Sequence, residues 1–123
     1  MKRTLFLSVL FGMLLVTAHA ENESHQQVDS TLYAYYRWCN NNIRDTAVLS
    51  KADTLFRLSG EKHDIRMQAV ALSVKADHYY FNNALDSLKA WIPRVQDFAR
   101  KHNQLKYYYF TWSRLILYYT KQA

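Results

Sequence analysis

Few side chains in this sequence are suited to catalysis or metal binding, and they lie far apart. After residue 20 the candidates are one cysteine and four histidines: Cys39, His25, His63, His78 and His102. No two of them have the spacing of zinc ligands. The chain has only two glycines, so a glycine-rich phosphate loop is nearly excluded. We therefore expect no metal, no cofactor and no catalytic site, and we predict that the protein is not an enzyme.

The single cysteine and the histidines have ordinary structural interpretations. Cys39 cannot form a disulfide within the chain because it has no partner. We interpret it as a small buried apolar residue, with an intermolecular disulfide or a reactive thiol as the alternatives. His63 precedes an aspartate and is interpreted as part of a turn. His78 is interpreted as a polar residue on the surface of a helix.

Aromatic residues are the unusual feature of the composition. The chain contains ten tyrosines and three tryptophans, concentrated in three segments near residues 33–38, 79–81 and 107–112. Tyrosine and tryptophan are enriched at binding surfaces because they offer rigid apolar area and one polar group, although any single tyrosine can equally pack in a core. With neighbouring basic residues they form a candidate binding groove: Tyr35, Tyr36, Arg37, Arg66, Tyr80, Lys106, Tyr107, Phe110 and Arg114.

The pattern of apolar residues predicts five helices and an all-α fold. Apolar positions recur three or four residues apart, as in amphipathic helices, and breakers are scarce, with two glycines and one proline. Asp29 or Ser30 and Asp64 can serve as N-caps, and Gly60 stands where a glycine ends a helix. The predicted helices are Ser30 to Cys39, Asp45 to Leu58, Ile65 to Tyr80, Ala84 to Lys101 and Gln104 to Lys121.

Helix ends and one proline allow more local predictions. The asparagines at positions 40–42, 82–83 and 103 are expected to end helices, since asparagine tolerates the left-handed conformation. Pro93 falls within the fourth predicted helix and lacks a backbone donor. We expect a kink or a short break there, or else a helix that restarts at Pro93.

Two segments, 47–57 and 84–94, resemble each other at an offset of 37 residues. Ala47 aligns with Ala84, and Arg57 aligns with Arg94. A repeated helical unit of this length is typical of an α-solenoid of stacked antiparallel helix pairs. The second and fourth helices have one apolar face, whereas the third and fifth have two. The fifth helix therefore has an apolar face that nothing later in the sequence covers.

The N-terminal segment has the pattern of a secretory signal peptide. Lys2 and Arg3 precede an apolar run from Leu5 to Val16, and residues 18–20 read Ala-His-Ala. We predict cleavage after Ala20, a flexible segment over 21–29 and a helical domain over 30–123. The run is shorter than a membrane span requires, and no later segment predicts one, so we expect export without a membrane span.

The charge of the predicted exported chain is mild. The full sequence carries a net charge of +6, and removal of Lys2 and Arg3 leaves +4. The basic residues are dispersed along the chain, whereas a nucleic-acid interface concentrates them on one face. We therefore expect no nucleic-acid partner.

The repeat resembles the tetratricopeptide repeat, with Ala47, Ala69, Ala76 and Ala84 at positions like its small packing residues. Over the whole chain, the segments Y-Y-R-W-C-N, A-D-T-L-F-R, D-I-R-M-Q-A-V-A-L, D-H-Y-Y-F, F-A-R-K-H-N-Q and K-Y-Y-Y-F-T-W are similar to the beginning of the periplasmic repeat ectodomain of bacterial membrane sensors of the histidine-kinase type. The resemblance implies a periplasmic location, further repeats, a membrane helix and a cytoplasmic output domain. None of the last three is found in this sequence, so the resemblance implies an N-terminal fragment of such a protein, and we expect the helical domain to be incomplete at its C-terminus.

These observations predict a non-catalytic exported module that binds a protein or peptide and begins a sensor ectodomain in two-component signalling. The alternative is a free-standing small periplasmic helical protein that self-associates through its fifth helix. The sequence does not identify the partner.

Overall fold

All regular secondary structure in the described part of the molecule is helical. The computed structural model describes residues 28–122, and within them the elements are α1 (Ser30–Asn41), α2 (Ala47–Glu61), α3 (Ile65–Phe81), α4 (Leu85–Lys101) and α5 (Leu105–Gln122). The prediction of an all-α fold is confirmed, and every predicted boundary lies within three residues of the observed one. The predicted signal peptide, residues 21–27 and residue 123 lie outside the described residues.

Helix α3 is the centre of the packing. Each helix contacts the next one along the chain, and α3 also contacts α1 and α5, so that it touches all four other helices. Its buried residues accordingly lie on two opposite faces, one with Met67, Ala71 and Val74 and the other with Ala69 and Ala76. Helices α2 and α4 both pack against α3, and they contact each other through Phe56 and Phe98, whose ring centres are 5.7 Å apart. The two apolar faces predicted for α3 are confirmed.

Three helices end with the same turn. His63, Asn83 and Asn103 have left-handed φ angles of 56°, 55° and 55°. After α2, the amide of His63 donates to the carbonyl of Gly60 and the amide of Asp64 to that of Ser59, at 3.1 and 2.8 Å. These two bonds define the Schellman motif, which satisfies carbonyls at the end of a helix. Equivalent pairs of bonds follow α3 and α4.

Two of the predicted helix ends are wrong in detail. Gly60 lies inside α2 rather than beyond it, and His63 takes the left-handed position. A Cβ atom on Gly60 would stand 2.7 Å from Nε2 of Gln68, so this glycine makes room for a side chain of α3. At the end of α1, Asn42 has a φ of −123° and is not left-handed. The asparagines predicted at positions 83 and 103 are confirmed.

The structural repeat is 40 residues long, not 37. The buried residues of α2 recur forty positions later in α4, as the pairs Val48 and Leu88, Ala52 and Ile92, Leu55 and Val95, and Ser59 and Ala99. The left-handed residues His63 and Asn103 have the same separation. An error of three residues is almost one helical turn of 3.6 residues, so it preserves the alignment of the apolar stripes. The similarity of segments 47–57 and 84–94 alone could not reveal this three-residue error.

Helix beginnings follow the predicted capping residues. The Asp29 carboxylate accepts from the amides of Thr31 and Leu32 and lies 2.7 Å from Nζ of Lys62. The Lys62 ammonium and these amides lower the pKa of Asp29. Asp64 caps α3 through the amide of Met67.

Pro93 does not divide α4, which is continuous from Leu85 to Lys101. The prediction of a break or restart there is wrong. Pro93 and Lys89, whose carbonyl loses its amide partner, are both exposed, so water can satisfy that carbonyl. None of the described helices is long and apolar enough to cross a bilayer.

Candidate binding groove on helices α1, α3 and α5

A cavity of about 640 Å³ lies where α1, α3 and α5 face the same side of the molecule. Five of the residues predicted from the sequence line it, namely Tyr36, Arg66, Lys106, Tyr107 and Phe110. Met67, Val70 and Val74 of α3 provide its apolar floor. We call this cavity the aromatic groove. Its volume is within the range of pockets that bind small ligands or short peptide segments.

The repeat generates much of the aromatic groove. Arg66 and Lys106 occupy the same position of successive units, forty residues apart. The same separation relates Met67 to Tyr107 and Val70 to Phe110, which also line the groove. The groove therefore presents a cation followed by apolar side chains on α3 and again on α5.

The other four predicted residues are not brought into the groove. Tyr35 packs against the α2 side of α1, where Nζ of Lys51 is 5.6 Å from its ring centre. Arg37 is exposed on α1 and does not line the cavity. Tyr80 is only 5% exposed and belongs to the core between α3, α4 and α5. Arg114 does not line the cavity either, but it contacts Asp77, which does.

Arg114 forms an ion pair with Asp77, a residue of the groove. Nε of Arg114 is 2.7 Å from Oδ1 of Asp77, without the alignment of a hydrogen bond, and both side chains are about one-fifth exposed. The guanidinium carbon lies 5.0, 5.6 and 4.9 Å from the ring centres of Tyr80, Phe81 and Phe110. Burial raises the pKa of Asp77, and the charge of Arg114 opposes this shift. The pair joins α3 to α5 beneath the groove.

The Tyr107 hydroxyl is the other groove-lining group whose acidity is changed. Burial raises the pKa of Tyr107, while the nearby charge of Arg66 acts in the opposite direction. Tyr107 is therefore neutral at physiological pH and can act as a hydrogen-bond donor toward a ligand.

The groove has an excess of positive charge. Arg66 and Lys106 have no carboxylate within ion-pair distance among residues 28–122, and the groove carboxylate of Asp77 is neutralised by Arg114. Two unpaired cations beside aromatic rings favour a ligand with acidic and apolar groups.

Tyr33 and Asp77 line the groove but were missed by sequence reasoning. Tyr33 belongs to the predicted aromatic segment of α1, but that segment does not show which of its tyrosines faces the groove. Asp77 could have been recognised as a carboxylate in a helix that is apolar on two faces, because such a residue must have a cationic partner or a special environment.

A second cleft of about 610 Å³ lies between α2, α3 and α4. Arg94 is its one lining cation without a carboxylate at ion-pair distance within residues 28–122, compared with two such cations in the aromatic groove, and its other main polar groups satisfy each other. Lys75 lies 2.8 Å from a carboxylate oxygen of Asp53 and 4.2 Å from the ring centre of Trp91. The Trp91 indole donates to the carbonyl of Leu72 at 2.8 Å. The aromatic groove, with its unpaired cations, is therefore the better candidate for binding.

His78 is buried, which corrects its interpretation as a surface residue. It is 5% exposed, and its Nδ1 lies 2.7 Å from the carbonyl oxygen of Ile43. Because a carbonyl only accepts, Nδ1 carries the proton. The side chain of Asn82 donates to the carbonyl of Arg44, so the end of α3 holds the turn between α1 and α2 at two points.

Cys39 is fully buried, as predicted, and burial raises the pKa of its thiol. Within residues 28–122 no group of three histidine, cysteine or acidic side chains is arranged to hold a metal ion. Comparison with protein families, curated proteins and solved structures gave no match to this chain.

Proposed function

We propose that this protein is a non-catalytic helical-repeat module that binds a protein or peptide in the aromatic groove. The observation that carries the proposal is the convergence of Tyr36, Arg66, Lys106, Tyr107 and Phe110 from three helices on one cavity. Rigid aromatic side chains provide contact area at low cost in conformational entropy. A peptide segment with acidic and apolar side chains is the complementary ligand, because Arg66 and Lys106 have no acidic partner within residues 28–122.

The wider proposal is that the chain is exported and begins the ectodomain of a bacterial membrane sensor. The signal-peptide pattern of residues 1–20 supports export, and the similarity of the repeat segments supports the sensor. Ligand binding would act on the arrangement of α1, α3 and α5, because all three helices supply groove residues. A change in their relative positions would then pass to the following parts of a sensor.

The test is selection of a random peptide library displayed on phage against the protein, followed by fluorescence titration with a selected synthetic peptide. We expect selected peptides to combine acidic and apolar residues. Lys106→Ala and Arg66→Ala should each weaken binding by roughly tenfold and reduce its salt dependence. Both side chains are exposed, so these substitutions leave folding intact.

Tyr35→Phe is the matched control, since Tyr35 lies on α1 but does not line the groove. It should bind the selected peptide as the unaltered protein does. Equal affinity of the Arg66 and Lys106 variants and the unaltered protein would overturn the proposal, as would a library that yields no specific binder.

A further inference from the structure

The chain enters the described structure at the wall of the aromatic groove. Val28, the first described residue, lines the cavity and packs against the buried cluster that contains Met67. Asp29 caps α1 and lies 2.7 Å from Nζ of Lys62. These contacts fix the point from which residues 21–27 extend, and that point is part of the groove.

The segment 21–27 carries the charge that the groove lacks. Its sequence is Glu-Asn-Glu-Ser-His-Gln-Gln, and Glu21 and Glu23 are the two acidic residues that lie outside the described part of the chain. Arg66 and Lys106 have no carboxylate within ion-pair distance among the described residues. After the predicted cleavage the new terminal amine offsets one of the two negative charges, and the segment remains complementary to the groove.

The length of the segment matches the width of the groove. Glu23 precedes Val28 by five positions, and an extended chain of that length spans up to about 17 Å. Helix α3 contacts both α1 and α5, and packed helices are about 8–10 Å apart, so Arg66 on α3 is within reach of Glu23. Glu21 projects from the same side of an extended segment as Glu23. It adds roughly 7 Å of reach toward Lys106 on α5.

We propose that residues 21–27 of this chain occupy the aromatic groove until a ligand displaces them. In this arrangement Glu23 pairs with Arg66, and the glutamate two positions earlier pairs with Lys106. The inference rests on the proposed function, because it names the occupant of the same site when no ligand is bound.

Attachment to the groove wall compensates for a weak contact. Residues 21–27 include no large apolar side chain to cover the floor of the groove, so as a free peptide they would bind weakly. A short linker, however, gives an effective concentration in the millimolar range. A ligand that has apolar as well as acidic side chains covers the floor too, and it therefore displaces the segment.

Docking of the segment is tested without any ligand, in protein produced from the full sequence with Ser24→Cys carrying a nitroxide spin label. Native Cys39 is fully buried and stays unlabelled. We expect the label to broaden the amide NMR signals of Lys106 and Tyr107 on α5, but not that of Arg94, which lines the second cleft. Sodium chloride at about 1 M should remove the broadening, because a Debye length of about 3 Å screens exposed ion pairs.

Charge substitutions in the labelled protein identify the contact. Glu23→Gln should reduce the broadening at Lys106 by at least about half, because it removes a carboxylate from the segment. Glu61→Gln is the matched control, since it removes one exposed carboxylate from α2, outside the groove, and it should leave the broadening unchanged. No broadening at Lys106, equal broadening at Arg94, or equal effects of the two glutamine substitutions would overturn the proposal.

Displacement is tested with the synthetic peptide selected from the phage library. If the segment occupies the groove in about three-quarters of the molecules, its release raises the apparent affinity roughly fourfold. The double variant Glu21→Gln, Glu23→Gln should therefore bind the peptide about fourfold more tightly, whereas Glu61→Gln should not. Unchanged affinity in the double variant would overturn the proposal. A library that yields no binder would count against the proposed function alone, because the broadening at Lys106 requires no ligand.

Discussion

Asp77 and Arg114 show how a buried charge can be retained beside a binding surface. Burial alone disfavours the ionised carboxylate, and it raises the pKa of Asp77. Arg114 compensates in part through its charge, while three aromatic rings surround its guanidinium. Lysine could not replace it equally well, because an ammonium lacks the planar surface that packs on these rings.

Replacement of Arg114 by methionine should destabilise the protein in a pH-dependent manner. The carboxylate of Asp77 would lose its counter-charge, so its pKa in the folded state would rise further above 3.8. Between 3.8 and that raised pKa, the folded state holds a proton that the unfolded state has released, so the free energy of unfolding falls as the pH rises. We expect a loss of about 2 kcal/mol near neutral pH and a smaller loss near the acidic limit of this window, measured by urea unfolding.

The double variant Asp77→Asn, Arg114→Met is the control, because it has no carboxylate to titrate at this position. Its loss of stability should be nearly independent of pH across the same window. A pH-independent loss in the single variant would show that Arg114 acts through packing rather than through its charge on Asp77.

At single positions, sequence reasoning identified which residue types form the groove, but it did not identify which of these side chains point into it. Tyr36 and Tyr107 were found because aromatic residues concentrate on the helices that form the groove. Tyr35 and Tyr80 belong to the same segments but face other helices. On a helix, one residue corresponds to a rotation of about 100°, so neighbouring tyrosines point to different surfaces. Their directions depend on packing that the spacing of residues does not specify.

At the scale of elements, the ends of α2, α3 and α4 share the left-handed turn residue of the Schellman motif. His63 occupies this position after α2 with a φ of 56°. A side chain with a Cβ atom is strained in this conformation, whereas glycine adopts it readily. The chain therefore tolerates some strain at a position where glycine would be favoured.

His63→Gly should stabilise the protein by about 1 kcal/mol, because glycine relieves the left-handed strain. His63 is exposed, so the substitution removes little packing. Thermal and urea unfolding measure the effect. His63→Ala is the control and should give no such gain, since alanine retains the Cβ atom. Equal stabilisation by both variants would contradict the role of backbone conformation.

The helices were predicted closely, because apolar spacing and capping aspartates act locally. The end of α2 was predicted less well, because Gly60 does not end the helix. It leaves space for the side chain of Gln68 on α3, which is a contact between two helices that local sequence does not reveal. The length of the repeat was wrong for a related reason. A displacement of nearly one turn leaves each amphipathic helix unchanged, and only the packing of α2 and α4 on α3 distinguishes 37 residues from 40.

At the scale of the whole molecule, the all-α class follows from scarce breakers and continuous apolar periodicity. The mutual arrangement of α1, α3 and α5, which creates the aromatic groove, required the structure. The uncovered face predicted for the fifth helix, through Tyr107, Phe110 and Tyr118, is wrong in its position, because Tyr118 is only 6% exposed. The exposed apolar residues lie on the other row of the helix, where Tyr109 and Ile116 are 65% and 62% exposed.

Export should remove residues 1–20. Expression of the full sequence in a bacterial host, followed by mass spectrometry of the periplasmic protein, should give an N-terminus at Glu21, because Ala-His-Ala matches the small-residue cleavage pattern. Ala20→Leu should block this cleavage, since the site requires a small side chain. A protein that stays in the cytoplasm with its N-terminal segment intact would contradict the prediction.

Arg66 and Lys106 occupy equivalent positions on α3 and α5, forty residues apart in the sequence. The distance between these two cations is one that a ligand can match with its own charges. Packed helices are separated by about 8–10 Å, so equivalent residues of α3 and α5 stand roughly that far apart. A polyproline II segment has three residues per turn and rises about 3.1 Å per residue, which places every third side chain on one face about 9 Å apart. Acidic residues at every third position of such a segment would therefore meet the two cations in succession. The repeat would then recognise the spacing of charges along its ligand as well as their number.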